Sequence, residues 1–212
     1  MLVLVEGNIS ASKSTVVDGL QGVKFHEPLE QENPFLTRFY ADAHRYATDM
    51  QIWTLTYRYN QWKSAQAQNF LAPDALYLMD RSLFLDYAFC KVNHDLGAIE
   101  DCEYELYRML HETMQEQIYF PDLCLWLRVR PEICLERARE RARGCECGLT
   151  LDYLQRLEDA YCKCMETLKH KCPVVEINGE QERENVLFVC VCAIARRRAE
   201  LDKQFPRWKG GI

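Results

Sequence analysis

The sequence predicts an α/β fold, a five-stranded parallel sheet flanked by helices, and three observations predict it. Short apolar runs recur at Leu2–Val5, Val23–Phe25, Ala75–Met79, Leu123–Val129 and Val174–Ile177, the length of buried strands. Between them lie longer segments whose apolar residues repeat at three and four, the helical period. Strands that alternate with helices imply parallel pairing through right-handed crossovers.

Taken in order, the first strand gives way at Gly7 to a polar loop ending in Lys13-Ser14-Thr15, and a helix over Ser14 to Leu20 follows. The brief second strand ends in His26-Glu27-Pro28. Asn33 to about Gln68 is helical in character, with Phe35, Phe39 and Tyr40, then Ile52, Leu55, Tyr59 and Trp62, at helical spacing. A break near Thr48-Asp49 is expected to divide it into two helices. Pro73-Asp74 is a turn. The third strand leads into Asp80-Arg81-Ser82 and a helix to about Asn93. Another helix is expected over Glu100 to Tyr119, stopped by Pro121, and Pro131 opens the next in the first-turn position that proline favours. Arg143 to Gly148 interrupts that pattern, Leu149 to Lys169 resumes it, and a helix over Arg183 to Leu201 follows. No repeat, linker or low-complexity stretch marks a boundary, so residues 1–212 are read as a single domain.

Composition narrows the function classes. A formal net charge of -6 argues against a nucleic-acid polymer as main partner, because such proteins usually present a basic face. No apolar run approaches membrane-spanning length, and the first residues read as a core strand rather than a leader, so a soluble, cytoplasmic protein is expected. The 11 cysteines are odd in number in a chain too large to need stapling, which points to free thiols in a reducing compartment. The pairs Cys145/Cys147, Cys162/Cys164 and Cys190/Cys192 have one intervening residue and fall on different elements, which is poor spacing for zinc.

The chemistry starts in the first loop. In the pattern G-x-x-x-x-G-K-[ST], loop N–H groups cradle phosphates, the lysine reaches the terminal phosphates and the hydroxyl residue ligates Mg²⁺. Gly7, Lys13 and Ser14 are in register, while Ser12 stands in the second glycine position. The loop candidates for holding phosphates are therefore Gly7, Asn8, Ile9, Ser10, Ala11, Ser12, Lys13, Ser14 and Thr15. In a parallel sheet, ligands bind beyond the carboxyl ends of the strands. Glu27 follows the second strand and Asp80-Arg81 the third, so both stand on the same side as the loop. Gln51 and Arg58 are two helical turns apart and face one way.

These stretches, VEGNISASKST, HEPLE, NPFLTRFYADAHRYATDMQIWTLTYRY, YLMDRSLFLD and ERARERARGCECGLTLDYL, together resemble the deoxynucleoside kinase family. The branch handling deoxyadenosine, deoxyguanosine and deoxycytidine is the most similar. The resemblance runs from the first strand to about Lys169 and implies a P-loop kinase fold with an arginine-rich lid at about residues 137–148. It implies transfer of the γ-phosphoryl of ATP, with Mg²⁺, to a deoxynucleoside 5′-hydroxyl, by a protein that forms a homodimer. Glu27 is then the general base, Arg81 steadies charge near the 5′-oxygen, and Ser14 and Asp80 place the metal. Gln51 pairs with the base, Tyr40 contacts the sugar 3′-hydroxyl with Glu146, and Arg139, Arg141 and Arg143 clamp the donor phosphates. The resemblance also sets Asp86 opposite Arg58. A carboxylate there accepts from an exocyclic amine and faces the O4 of thymine unfavourably, so thymidine is expected to be a poor substrate. Phe89 receives no such role, since relatives often carry a base-stacking aromatic one residue later, at Cys90 here.

Two alternatives remain open at this level. A thymidine kinase or a nucleoside monophosphate kinase of the same fold shares the loop, the Asp-Arg step and the lid, and in the monophosphate kinase Arg38 or Arg45 would meet the acceptor's phosphate. A catalytically weak nucleotide-binding regulatory subunit is the other, motivated by Ser10 and Ser12 where glycine is usual. Ser12→Gly is expected to tighten ATP binding or leave it nearly unchanged.

Overall fold

The structure is a computed structural model and describes residues 1–28, 31–141 and 148–204. Its five strands, β1 (Leu2–Gly7), β2 (Val23–Phe25), β3 (Tyr77–Asp80), β4 (Leu123–Arg128) and β5 (Val174–Asn178), form one parallel sheet in the order β2-β3-β1-β4-β5. β1 is central and every one of its residues is buried, which is why it reads as an unbroken apolar run up to Glu6. Its register sets Val5 beside Asp80 and Gly7 beside Leu127, so the loops leaving β1 and β3 emerge together.

The helices are α1 (Lys13–Gly19), α2 (Leu36–Ala41), α3 (Ala43–Leu71), α4 (Asp86–Asp95), α5 (Asp101–Glu116), α6 (Pro131–Arg141), α7 (Leu151–Lys169) and α8 (Arg183–Gln204). The expected division near Thr48-Asp49 is instead at Asp42, whose carboxylate accepts from the Arg45 N–H at 3.1 Å and caps α3. Thr48 and Asp49 lie inside that helix, and Asp49 pairs with Arg45 one turn back. Helix α5 stops at Glu116, short of the expected Tyr119, whose carbonyl accepts from the indole N–H of Trp62 at 2.9 Å.

The buried stripe of α3 is Ala47, Gln51, Thr54, Leu55, Arg58, Trp62 and Ala65. Those are successive turns of one face, and most of it is core. Gln51, Thr54 and Arg58 are the polar intrusions; the Thr54 hydroxyl donates to the Met50 carbonyl at 2.8 Å, and a polar group is carried into a core at a cost that demands a partner or a ligand. Arg58 reaches Glu27, which follows the end of β2. Among the described residues, no helix is long and apolar enough to cross a membrane.

Candidate active site

The phosphate loop is shaped by its first glycine. Gly7 sits at φ 154°, and a Cβ there would stand 2.7 Å from the Leu127 carbonyl oxygen. Beyond it, Ser10 and Ser12 adopt φ 60° and 67°, the left-handed region that favours glycine. Asn8 ties the loop to α7 by donating from Nδ2 to the Leu154 carbonyl at 3.0 Å and to Glu158 at 3.3 Å, while its Oδ1 accepts from the Ile9 N–H. Ile9 and Ala11 are buried beneath. Lys13 is buried and donates to the Asn8 carbonyl at 2.8 Å. Burial, with Arg81 nearby, outweighs the neighbouring carboxylates and lowers its pKa to about 8. Ser14 and Thr15 open α1 on its exposed side.

At the end of β3 the Ser14 hydroxyl donates to Asp80 Oδ2 at 2.5 Å. The other oxygen, Oδ1, is buried with no protein partner. Burial, with Glu27 adding to it, raises the Asp80 pKa. Two hard oxygens, one unpartnered, beside a phosphate loop fit Mg²⁺, which takes few protein ligands and keeps the rest for phosphate and water. Among the described residues no group of three His, Cys, Asp or Glu has the arrangement of a protein-only metal cage.

Arg81 follows, also left-handed at φ 69°. Its N–H donates to the Val5 carbonyl at 3.1 Å, and its guanidinium donates to the Gly7 carbonyl at 3.3 Å and to the Tyr161 hydroxyl. Its Nε lies 2.9 Å from Glu27 Oε1 as an ion pair, and that oxygen accepts from Arg58 Nη2 at 2.6 Å. Burial raises the pKa of Glu27, but Arg81, Arg58 and Lys13 together overcome it and hold the carboxyl at about 2. Burial opposes the charge on Arg81, and Glu27 leads the groups that outweigh it and raise its pKa.

Arg58 also donates to Asp86, as the resemblance implied. Both are buried, at 6% and 1% side-chain exposure. Gln51, on the same stripe, keeps its Oε1 buried and without a hydrogen-bond partner, the state expected of an amide aimed at a ligand. Phe89 joins them: its ring lies 5.0 Å from the Arg81 guanidinium and 6.0 Å from that of Arg58. Cys90 is fully buried instead.

Tyr40 is half-buried on α2, with its ring 5.3 Å from Phe39. Its expected partner Glu146, along with Arg143, lies outside the described residues, as do Cys145 and Cys147. Arg139 and Arg141 close α6 on its exposed side. On α6, Arg137 reaches the loop, with Nη1 3.5 Å from the Ser12 hydroxyl and Nη2 donating to the Gly179 carbonyl at 3.0 Å.

Sequence patterns missed Glu6, Tyr161 and the loop contact of Arg137. Glu6 is fully buried in β1, and its Oε1 accepts from both the N–H and the hydroxyl of Ser82 at 2.9 Å. A glutamate interrupting the apolar run of the central strand was the available signal. Burial raises its pKa against the pull of Arg81, Arg58 and Lys13.

A family model described as deoxynucleoside kinase matches residues 3–191. This chain belongs to the deoxynucleoside kinase family. Its relatives include a deoxyguanosine kinase of Dictyostelium discoideum, 34% identical over 80% of this chain and 60% of the relative. A probable deoxycytidine kinase of fowlpox virus is 35% identical over 83% of this chain and 77% of that protein. The chain therefore spans less than two thirds of the first of these and about three quarters of the second. Among solved structures, a deoxyadenosine kinase from M. mycoides with the products dCMP and a flexible dCDP matches with a TM-score of 0.80 at 25% identity, covering 92% of this chain and 100% of that one. Deoxynucleoside kinases are ATP-dependent phosphotransferases, and the loop, the acidic strand ends and the arginine pair are what such chemistry requires.

Proposed function

We propose that this deoxynucleoside kinase, acting as one catalytic domain, transfers the γ-phosphoryl of ATP to the 5′-hydroxyl of deoxycytidine or a purine deoxynucleoside, in the supply of DNA precursors. The observation that carries the reading is the chain Arg81–Glu27–Arg58–Asp86, which joins the phosphate loop to a buried carboxylate in a continuous run of ion pairs.

In this reading Glu27 orients the 5′-hydroxyl toward the phosphorus. A carboxyl with a pKa of about 2 is a weak proton acceptor, so it takes the proton once bonding to phosphorus has made the hydroxyl acidic. Arg81 holds Glu27 and faces the oxygen on which charge changes. Lys13 leaves the Asn8 carbonyl for the donor phosphates, joined by Arg139, Arg141 and Arg143 from the lid. Ser14 and Asp80 would hold Mg²⁺, which would supply neutralisation of phosphate charge. On the acceptor side Gln51, Arg58 and Asp86 meet the base, while Tyr40 and Glu146 meet the 3′-hydroxyl. The homodimer implied by the family belongs to the same reading.

Steady-state turnover of the purified chain with ATP, Mg²⁺ and each of four deoxynucleosides tests it. Deoxycytidine or a purine deoxynucleoside is expected to outrun thymidine, and deoxycytidine to be accepted where its monophosphate is not. Glu27→Gln is expected to lower kcat by about 10²-fold or more. Folded protein without turnover on any of the four would replace this reading by the regulatory one.

A further inference from the structure

The buried residues of the 16-residue helix α5 are Tyr107 and His111. They lie four apart on one face, and both carry polar groups where a helix docked by packing alone would present aliphatic side chains. Both reach the same short segment. His111 Nε2 stands 2.8 Å from the Leu83 carbonyl, which also accepts from the Asp86 N–H at 3.2 Å. That contact requires the proton on Nε2. Tyr107 donates its hydroxyl to Asp86 Oδ2 at 3.0 Å, and the two rings stack 5.9 Å apart at 18°.

Asp86 is thereby held at both oxygens, Oδ1 by Arg58 and Oδ2 by Tyr107, with its backbone turn fixed by His111. An aspartate carboxylate otherwise turns freely about its last torsion, which is broad and two-fold. Its capacity to favour an amino over a keto group depends on where its lone pairs point.

We propose that Tyr107 is a positioning residue for substrate choice: it aims the Asp86 carboxylate at the base, and α5 serves as the clamp on the Leu83–Asp86 turn. This rests on Asp86 reading the base, as proposed above. Loss of the Tyr107 hydroxyl leaves Oδ2 buried and unpartnered. The carboxylate then swings toward Arg58 or takes up water, and its discrimination falls while the phosphoryl-transfer groups stay in place.

The test measures kcat and KM for deoxycytidine, deoxyadenosine and thymidine in the intact protein and in Tyr107→Phe, Asp86→Asn and Tyr104→Phe. Tyr104 is on the same helix, but its hydroxyl meets that of Tyr87 rather than Asp86. Tyr107→Phe is expected to lower the deoxycytidine-to-thymidine ratio of kcat/KM by about tenfold, chiefly through KM for deoxycytidine, as for a lost hydrogen bond to a charged group. Asp86→Asn is expected to lower the ratio further, and Tyr104→Phe to leave it unchanged. An unchanged ratio in Tyr107→Phe beside a collapsed one in Asp86→Asn overturns the positioning role and leaves the reading of Asp86 intact. An unchanged ratio in Asp86→Asn overturns both. An equal fall in kcat for every substrate in Tyr107→Phe marks a structural role and also overturns the proposal.

Discussion

Replacing Ser10 by glycine is expected to stabilise the protein, and more so than the same change at Ser12. Both residues are left-handed, at φ 60° and 67°. An L-residue there costs about 1–2 kcal/mol, and glycine returns about 0.5–1 kcal/mol of that through its freer unfolded chain, leaving a net gain of about 0.5–1 kcal/mol at either position. The side chains then differ. Ser10 Oγ is buried without a hydrogen-bond partner, so its removal relieves a further desolvation cost of about 1 kcal/mol. Ser12 Oγ meets Arg137 at 3.5 Å, too long for a strong bond but a contact that glycine forfeits. Ser10→Gly should therefore gain about 1.5–2 kcal/mol and Ser12→Gly about 0.5 kcal/mol. In a chain this size, 1 kcal/mol moves the thermal midpoint by about 2–4 °C, so the larger gain is about 3–8 °C. Thermal unfolding without nucleotide measures this, and calorimetric titration with ATP measures the consequence for the loop. ATP affinity is expected to hold or rise in Ser12→Gly. A midpoint that falls in Ser10→Gly, or an order of the two variants that is reversed, would refute the strain argument.

Other consequences concern charge. Arg58→Ala strips the charged partner from a buried Asp86 and one from Glu27, and is expected to destabilise by about 3–5 kcal/mol, read in chemical unfolding, whereas Arg58→Met with Asp86→Leu should recover much of it. Lys13, at about 8 against an ordinary 10.5, has a depressed folded pKa. Between those values the unfolded chain keeps the proton that the folded chain has lost, so this group favours folding more as pH rises through that window. ATP needs the ammonium, so binding should weaken above pH 8 by up to about tenfold per unit, with proton uptake visible in calorimetry in buffers of different ionisation heat. Glu27, at about 2, contributes stability that is present above the ordinary carboxylate range and is lost only as pH falls toward 2. Accordingly kcat/KM for the nucleoside should show no acid limb near 4.5 that Glu27→Gln removes. Chelating Mg²⁺ should stop turnover without changing the circular dichroism spectrum, and Asp80→Asn should raise the Mg²⁺ concentration needed for half-maximal rate.

The strands were legible because each is a short apolar run, and the observed spans begin within two residues of those the pattern marks. The break before α3 was not. Asp42 and Asp49 are both plausible caps in sequence, and what separates them is that Asp42 leaves the helical backbone conformation while Asp49 pairs with Arg45 along a continuous helix. In the site, Glu27, Asp80, Arg81 and Arg58 were legible because each stands at a strand end or on one helical face beside the phosphate loop, while Asp86 was placed only by the family resemblance. Phe89 was not, because an aromatic on a helix is core unless something shows what lies over it.

By itself the sequence determined the strands and the phosphate loop, since apolar period and motif spacing are local properties that survive without a third dimension, and the resemblance of its motifs implied the reaction class. The tertiary structure alone decided which groups hold the reacting ones. Tyr107 reaches Asp86 and Tyr161 reaches Arg81 across long stretches of chain, and Glu6 meets Ser82 from the heart of β1. Such contacts obey no sequence period, because packing brings those elements together.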